Sequence, residues 1–262
     1  MEKVKVIIPV AGIGSKLRPH THTQPKALMP VAGKAILGHL VDYLVDAGLN
    51  DFVFIIGYMG NKVENYIKEK YPSINANFVV QEPREGIGHA VWMAKDFVKN
   101  DEELLILLGD TITDFDLSTI LGQQYSMLGV KKVEDPRQFG VAELDQEGFI
   151  TKLIEKPSIP KSNLALVGIY LIKEGKKLME SLDQLMKHNM RTLDEYQLTD
   201  GIMGVIDKGA KVRTFQVGNW FDCGSKDSLI ETNATLLGRN VGVSNGGPTY
   251  HNTIIIQPVS IE

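Results

Sequence analysis

Apolar and polar positions follow two different rhythms along this chain, and the change of rhythm divides it. Residues 4–10 form a nearly unbroken apolar run ending at Ala11-Gly12, the pattern of a strand buried on both faces. Ile36, Leu37, Leu40, Val41, Leu44 and Val45 then recur at helical spacing with Gly48 as a stop, which predicts a helix over 36–48 with one apolar face. Residues 52–56, 77–80 and 104–108 read as strands, alternating with helices over 61–70 and 88–98. Such alternation predicts a mainly parallel sheet covered on both faces, an α/β fold. Beyond residue 126 strand-like runs follow one another, at 126–133, 139–144, 149–154 and 164–172, with Gln146-Glu147-Gly148 as a turn. This half predicts an added, partly antiparallel sheet region. Helices are expected over 174–188, 195–208 and 226–238, with a strand at 211–217. No Pro/Gly/Ser-rich linker and no internal repeat separates the halves, so residues 1–240 read as one domain and 241–262 as a tail.

With 262 residues the chain can bury a sizeable core. Its net charge of −4 offers no general attraction for nucleic acid or a membrane surface, so any anionic substrate must be held by local lysines and backbone amides. No apolar run approaches the length that spans a bilayer, and the first residues carry no signal-peptide pattern. A single cysteine, Cys223, excludes an internal disulfide framework and a Cys-rich metal cluster; the expected compartment is the cytoplasm.

The chemistry concentrates after the first strand, in Pro9-Val10-Ala11-Gly12-Ile13-Gly14-Ser15-Lys16-Leu17-Arg18-Pro19 and onward to Lys26. A glycine-containing loop at a strand end leaves N–H groups free to cradle phosphate oxygens, and Lys16, Arg18 and Lys26 add positive charge. On this feature alone, a surface turn with solvated basic residues is the competing reading. Two familiar phosphate motifs are excluded. Leu17 stands where a dinucleotide fingerprint needs its third glycine, and Gly33-Lys34 runs into Ala35 with Leu28 at the place of the first P-loop glycine.

Asp110 follows the 104–109 run, at the carboxyl end of a strand, where open α/β sheets bind ligands and where a carboxylate suits magnesium. Asp222 lies in the apolar-flanked run Trp220-Phe221-Asp222-Cys223-Gly224. A helix cap or loop role is the alternative for each. Gln81, between a strand and a helix, has an amide able to read a base edge as donor and acceptor, though an ordinary glycine-rich turn fits equally. Glu155-Lys156 alone reads as an exposed charge pair. Cys223 reads as a small buried thiol rather than a nucleophile, Trp220 as core, and the six histidines show no ligand spacing.

Residues 9–31 resemble the signature of the sugar-1-phosphate nucleotidyltransferases, above all the glucose-1-phosphate thymidylyltransferases and uridylyltransferases: G-x-G-(T/S)-R-L-x-P-x-T, then P-K-x-(L/M)-x-P. Gly12, Gly14, Ser15, Leu17, Pro19, Thr21, Pro25, Lys26 and Pro30 match. The similarity continues in family order through 81–90, 107–110, 139–141, 155–157, 160–163, 198–200 and 220–224. The resemblance implies a Rossmann-like, doubly wound, mixed and mainly parallel sheet with an antiparallel sugar-binding region, the nucleotidyltransferase (GT-A-like) fold. It implies nucleotide contacts at Ala11, Gly12, Gly14, Ser15, Gln81 and Gly86, sugar contacts at Gly140, Glu155 and Leu166, phosphate-facing catalytic lysines Lys16, Lys26 and Lys156, and Mg2+ held by Asp110 and Asp222. The implied substrates are a nucleoside triphosphate, dTTP or UTP favoured, and a sugar 1-phosphate, glucose 1-phosphate favoured. The products are an NDP-sugar and pyrophosphate. No nucleic acid or membrane partner is expected, and homo-oligomers are common in the family. The 241–262 tail resembles the start of a hexapeptide-repeat β-helix.

Two positions depart from the family pattern. Lys16 replaces the loop arginine, exchanging a two-pronged donor for a point charge, with Arg18 as a substitute two residues on. The arginine expected near the 198–200 block is Leu193, with Arg191 offset from it. Three rivals follow: a glycosyltransferase using Asp114-Phe115-Asp116 as a D-x-D motif, a nucleotide-sensing relative weakened at Lys16, and a dehydrogenase, which the missing glycine opposes. Asp116 reads instead as a cap before Leu117-Ser118-Thr119.

Overall fold

The structure is a computed structural model that describes residues 4–100 and 102–239; the 241–262 tail lies outside the described residues. β1 (Val4–Pro9) leads through a long loop to a hairpin of β2 (Pro30–Val31) and β3 (Lys34–Ala35), then to α1 (Ile36–Asp46). β4 (Asp51–Ile56), α2 (Gly60–Lys70), β5 (Asn75–Val80), α3 (Ile87–Trp92) and β6 (Glu103–Leu107) follow. β6, β1, β4 and β5 lie side by side in that order, all parallel, so their carboxyl ends open on one edge.

The apolar strands divide the core into two layers. Val6 and Ile8 face one side with Leu37, Leu40, Val41 and Leu44 of α1, whereas Ile7 faces the other. Helix α1 ends as its sequence dictates: Gly48 takes a left-handed φ of 86°, and the Leu49 N–H donates back to the Leu44 carbonyl at 3.0 Å.

The second half adds β7 (Thr111–Thr113), β8 (Ser126–Lys132), β9 (Gly140–Leu144), β10 (Ile150–Glu155) and β11 (Leu164–Ile172), then α4 (Gly175–Lys187), α5 (Leu198–Ile206), β12 (Val212–Gln216), β13 (Trp220–Asp222) and α6 (Lys226–Arg239). β11 joins the halves. It runs antiparallel to β8 along one edge, while Ile169, Tyr170, Leu171 and Ile172 pair antiparallel with β6 and Ala165 pairs with Val141 of β9. Helices α4 and α5 pack with α3 on the Ile7 side of the sheet.

Two local expectations are corrected. The helix expected over 88–98 stops at Trp92, where Ala94 donates to Val91 at 3.0 Å and tightens the turn. The helix expected over 195–208 begins only at Leu198, because the backbone of Tyr196 is committed to another loop. The 220–222 run is a strand, paired with β7 in a two-stranded ribbon. No helix among the described residues is long and apolar enough to cross a membrane.

Candidate active site

The loop after β1 folds back on itself at the open edge of the parallel sheet. Gly14 adopts φ 69°, and a Cβ there would stand 2.9 Å from Cβ of Lys26, so glycine permits both the turn and the approach. The Thr21 hydroxyl donates to the Gly14 carbonyl at 2.8 Å, and Leu17, 1% exposed, pins the loop into the core. Lys26 is thereby aimed at the tip of β6, where its Nζ lies 2.6 Å from Oδ2 of Asp110.

Asp222 reaches the same corner through the β7–β13 ribbon. Its register sets Asp222 opposite Thr111, and the Cys223 N–H donates to the Asp110 carbonyl at 3.2 Å. Asp222 keeps a face to solvent, yet the protein packed around it and then the like charge of Asp110 push its carboxyl above the usual range. Lys26, the Gly224 N–H and Lys16 oppose that shift. Two carboxylates that disfavour each other form a hard-oxygen donor pair that suits a magnesium-class ion. No group of three or more His, Cys, Asp or Glu able to hold a metal occurs among the described residues, so water and substrate oxygens would complete its shell.

From this corner a cavity of about 470 Å3 runs along the 9–15 loop and past Lys26 and Asp110 to Gln81 and Gly86. Arg84, Ile87 and Glu195 also line it. Arg84 and Ile87 carry a sequence signal only through their nearness to Gln81 in the 81–90 block, and Glu195 carries none. At its far end Gln81 is buried, and its Nε2 donates to the Gly86 carbonyl at 3.0 Å and to Nδ1 of His89 at 3.2 Å. Both amide hydrogens are thus committed, which corrects the expectation of a side chain free to donate as well as accept. Gly86 has φ 105°, and a Cβ there would lie 2.6 Å from the Tyr196 carbonyl oxygen. The Tyr196 N–H donates to the Glu85 carbonyl and the Gly88 N–H to the Tyr196 carbonyl, each at 2.8 Å. Arg191 secures this seam, with Nη2 2.5 Å from Oε1 of Glu85 and its guanidinium 4.2 Å from the Tyr196 ring centre.

The three expected sugar contacts come together beside α5, outside that cavity wall. A Cβ on Gly140 would stand 2.9 Å from Cδ1 of Leu166 and 3.0 Å from Oε2 of Glu155. Burial raises the Glu155 carboxyl, and Lys156, its Nζ 4.0 Å from Oε1, is the first group to oppose this. Tyr170 links the two clusters: burial and then the charges of Glu155 and Asp110 raise its phenol. Lys16 is exposed and its charge reaches Asp222; neither it nor Arg18 lines the cavity. Leu193 is 59% exposed, and Arg191 is spent on Glu85.

The sequence profile of the nucleotidyl transferase family matches residues 5–239. The chain belongs to this family. It is 34% identical over 242 residues to the low-salt glycan biosynthesis nucleotidyltransferase Agl11 of Haloferax volcanii, covering 89% of this chain and 66% of that protein. It is 38% identical over 257 residues to the bifunctional protein GlmU of Methanocaldococcus jannaschii, covering 98% of this chain and 60% of that one. The chain therefore spans about two thirds or less of the length of these relatives. A Bacillus anthracis crystal structure, provisionally described as a glucose-1-phosphate thymidylyltransferase in complex with a sucrose, superposes with a TM-score of 0.76 at 28% identity, covering 88% of this chain and 94% of that one.

Within this nucleotidyl transferase the D-x-D pair is engaged structurally. Asp114 accepts from Asn219 at 2.7 Å and from Arg239 at 2.8 Å, and Asp116 caps the turn over 117–119 through the Ser118 N–H. Cys223 is fully buried, and burial pushes its thiol up to about 12, far from a nucleophile's range.

Proposed function

We propose that this chain transfers a nucleoside monophosphate from a nucleoside triphosphate, dTTP or UTP in preference, to a sugar 1-phosphate, glucose 1-phosphate in preference, releasing pyrophosphate. The observation that carries the reading is the corner where Lys26 meets Asp110 beside Asp222, at the mouth of a cavity that ends on a buried glutamine. The sugar phosphate is already an anionic nucleophile, so the reaction needs charge neutralisation and in-line positioning rather than a general base. The backbone of Ala11, Gly12, Gly14 and Ser15 would cradle the triphosphate, and Lys16 would neutralise the departing pyrophosphate. Lys26 and Lys156 would hold the attacking phosphate, and Glu155 would accept the sugar hydroxyls between Gly140 and Leu166. Gln81 and Gly86 would read the base. Asp110 and Asp222 would hold Mg2+, which when bound supplies charge neutralisation at the α-phosphate.

Residues 1–240 act in this reading as one catalytic unit. The test is a pyrophosphate-release screen of the purified chain across nucleoside triphosphates and sugar 1-phosphates, with and without magnesium. Release that requires both substrates and favours dTTP or UTP with glucose 1-phosphate is the expected result. Release of a nucleoside diphosphate from an NDP-sugar with an acceptor alcohol, with no pyrophosphate from sugar phosphate and triphosphate, would replace it with glycosyl transfer.

A further inference from the structure

We propose that His89 is a positioning residue that turns Gln81 into an acceptor-only reader and thereby selects uracil or thymine over cytosine. The inference rests on the reading above that the cavity takes a nucleoside triphosphate.

His89 lies in the first turn of α3 and is 7% exposed. Its ring stacks on Trp92 at 5.9 Å between centres and meets the Tyr196 ring at 6.4 Å, so it has little room to swing. At Nδ1 it faces the Gln81 amide nitrogen at 3.2 Å. An amide nitrogen only donates, so Nδ1 must accept, and the neutral ring carries its hydrogen on Nε2. The Gly86 carbonyl takes the other amide hydrogen at 3.0 Å. What Gln81 has left for a ligand is its carbonyl oxygen. That oxygen fits a base offering a ring N–H between two carbonyls, the imide of uracil and thymine, and opposes the N3 lone pair of cytosine presented in the same register.

Without the ring acceptor, one amide hydrogen becomes free to donate into the cavity and the preference relaxes. Asparagine places an acceptor close to the position of Nδ1, whereas leucine fills similar space with none. The experiment compares kcat/KM for UTP, dTTP and CTP, with calorimetric Kd values for the same nucleotides, in the wild type, His89→Asn and His89→Leu. The expected result is a preference for UTP and dTTP over CTP that falls about fivefold or more in His89→Leu and is largely restored in His89→Asn. A purely structural role for His89 would lower all three nucleotides together and leave the ratio unchanged, which would overturn the proposal. An independent readout uses 15N-labelled histidine in the intact chain, where the His89 ring is expected as the Nε2–H tautomer at neutral pH. The Nδ1–H tautomer or a protonated ring would overturn the proposal without reference to turnover. A chain that binds UTP over CTP through His89 but releases no pyrophosphate would refute the proposed reaction and leave this inference standing.

Discussion

The two ends of the site are built in opposite ways. At the end proposed to take the nucleotide, the tips of parallel strands supply the wall: 9–15 from β1 onward, residues of 81–87 after β5 and 108–110 after β6. At the sugar end, separate elements each supply one residue, Gly140 from β9, Glu155 from β10 and Leu166 from β11. Charge follows the same division. Asp110 already carries Lys26 at 2.6 Å, whereas the nearest cation to Glu155 is the half-exposed Lys156 at 4.0 Å, and burial raises the Glu155 carboxyl. In the proposed reaction the first end would receive a polyanion and its counter-charge beside the Lys26–Asp110 pair. In the same reaction the partly buried Glu155 carboxylate would take further donors from the hydroxyls of a sugar.

This contrast breaks first at the carboxylate pair. Asp110→Asn and Asp222→Asn are each expected to lower magnesium-dependent turnover on the order of 100- to 1000-fold, because in the proposed reaction the charge held there would act on the transition state. Circular dichroism should show both variants folded. Full activity in either folded variant removes that residue from the mechanism.

The next largest effect concerns Lys16. Its charge reaches Asp222, so Lys16→Ala is expected to cut kcat by about tenfold or more, and Lys16→Arg to keep or raise it by adding a second prong toward phosphate. Arg18→Ala should change little. A full-speed Lys16→Ala enzyme with a crippled Arg18→Ala counterpart would hand the role to Arg18.

The sugar end should answer differently. Glu155→Gln keeps the volume and loses a charged acceptor, a change of about 1–3 kcal/mol. The KM for the sugar 1-phosphate should rise while the Kd for the nucleotide stays constant. The melting temperature should hold or rise, since a buried charge has been removed. A matched loss in nucleotide binding would mean that the two ends are not separable.

How far the fold was legible follows the same line. The 36–48 stripe, the Gly48 stop and the apolar runs of β1, β4 and β6 are local patterns, and they formed where the pattern placed them. The β7–β13 ribbon is three residues a side joined across more than a hundred positions, too short for any period to register. Only the family resemblance paired Asp222 with Asp110. Gln81 was legible as a candidate base reader, but the commitment of its amide nitrogen to Gly86 and His89 was not, because the spacing of His89 carries no signal. The late start of α5 was hidden for a related reason, since the Tyr196 backbone serves the 85–88 loop instead of a helix.

The smallest expected effect separates the histidines from the carboxylates on stability. Burial lowers the pKa of His89 and His39 from the ordinary 6.5; the His39 ring also donates from Nε2 to the Val31 carbonyl at 2.8 Å. Each folded ring therefore holds its proton less tightly than the unfolded chain does. The unfolded state takes up protons first as the pH drops past 6.5, so the stability these rings contribute is complete above that value and is lost as the pH falls through their folded pKa values. Glu155 and Asp222, raised in the fold, act in the opposite sense and at lower pH, where protonation favours the folded state. Urea midpoints measured from about pH 7.5 down to about pH 5.5 should fall for the wild type. They should fall less steeply for a variant carrying His39→Gln and His89→Asn, which keeps a donor at one site and an acceptor at the other without a titrating ring. Identical slopes would show that neither ring titrates differently in the folded and unfolded chain, and the neutral His89 on which the base reading depends would lose its support.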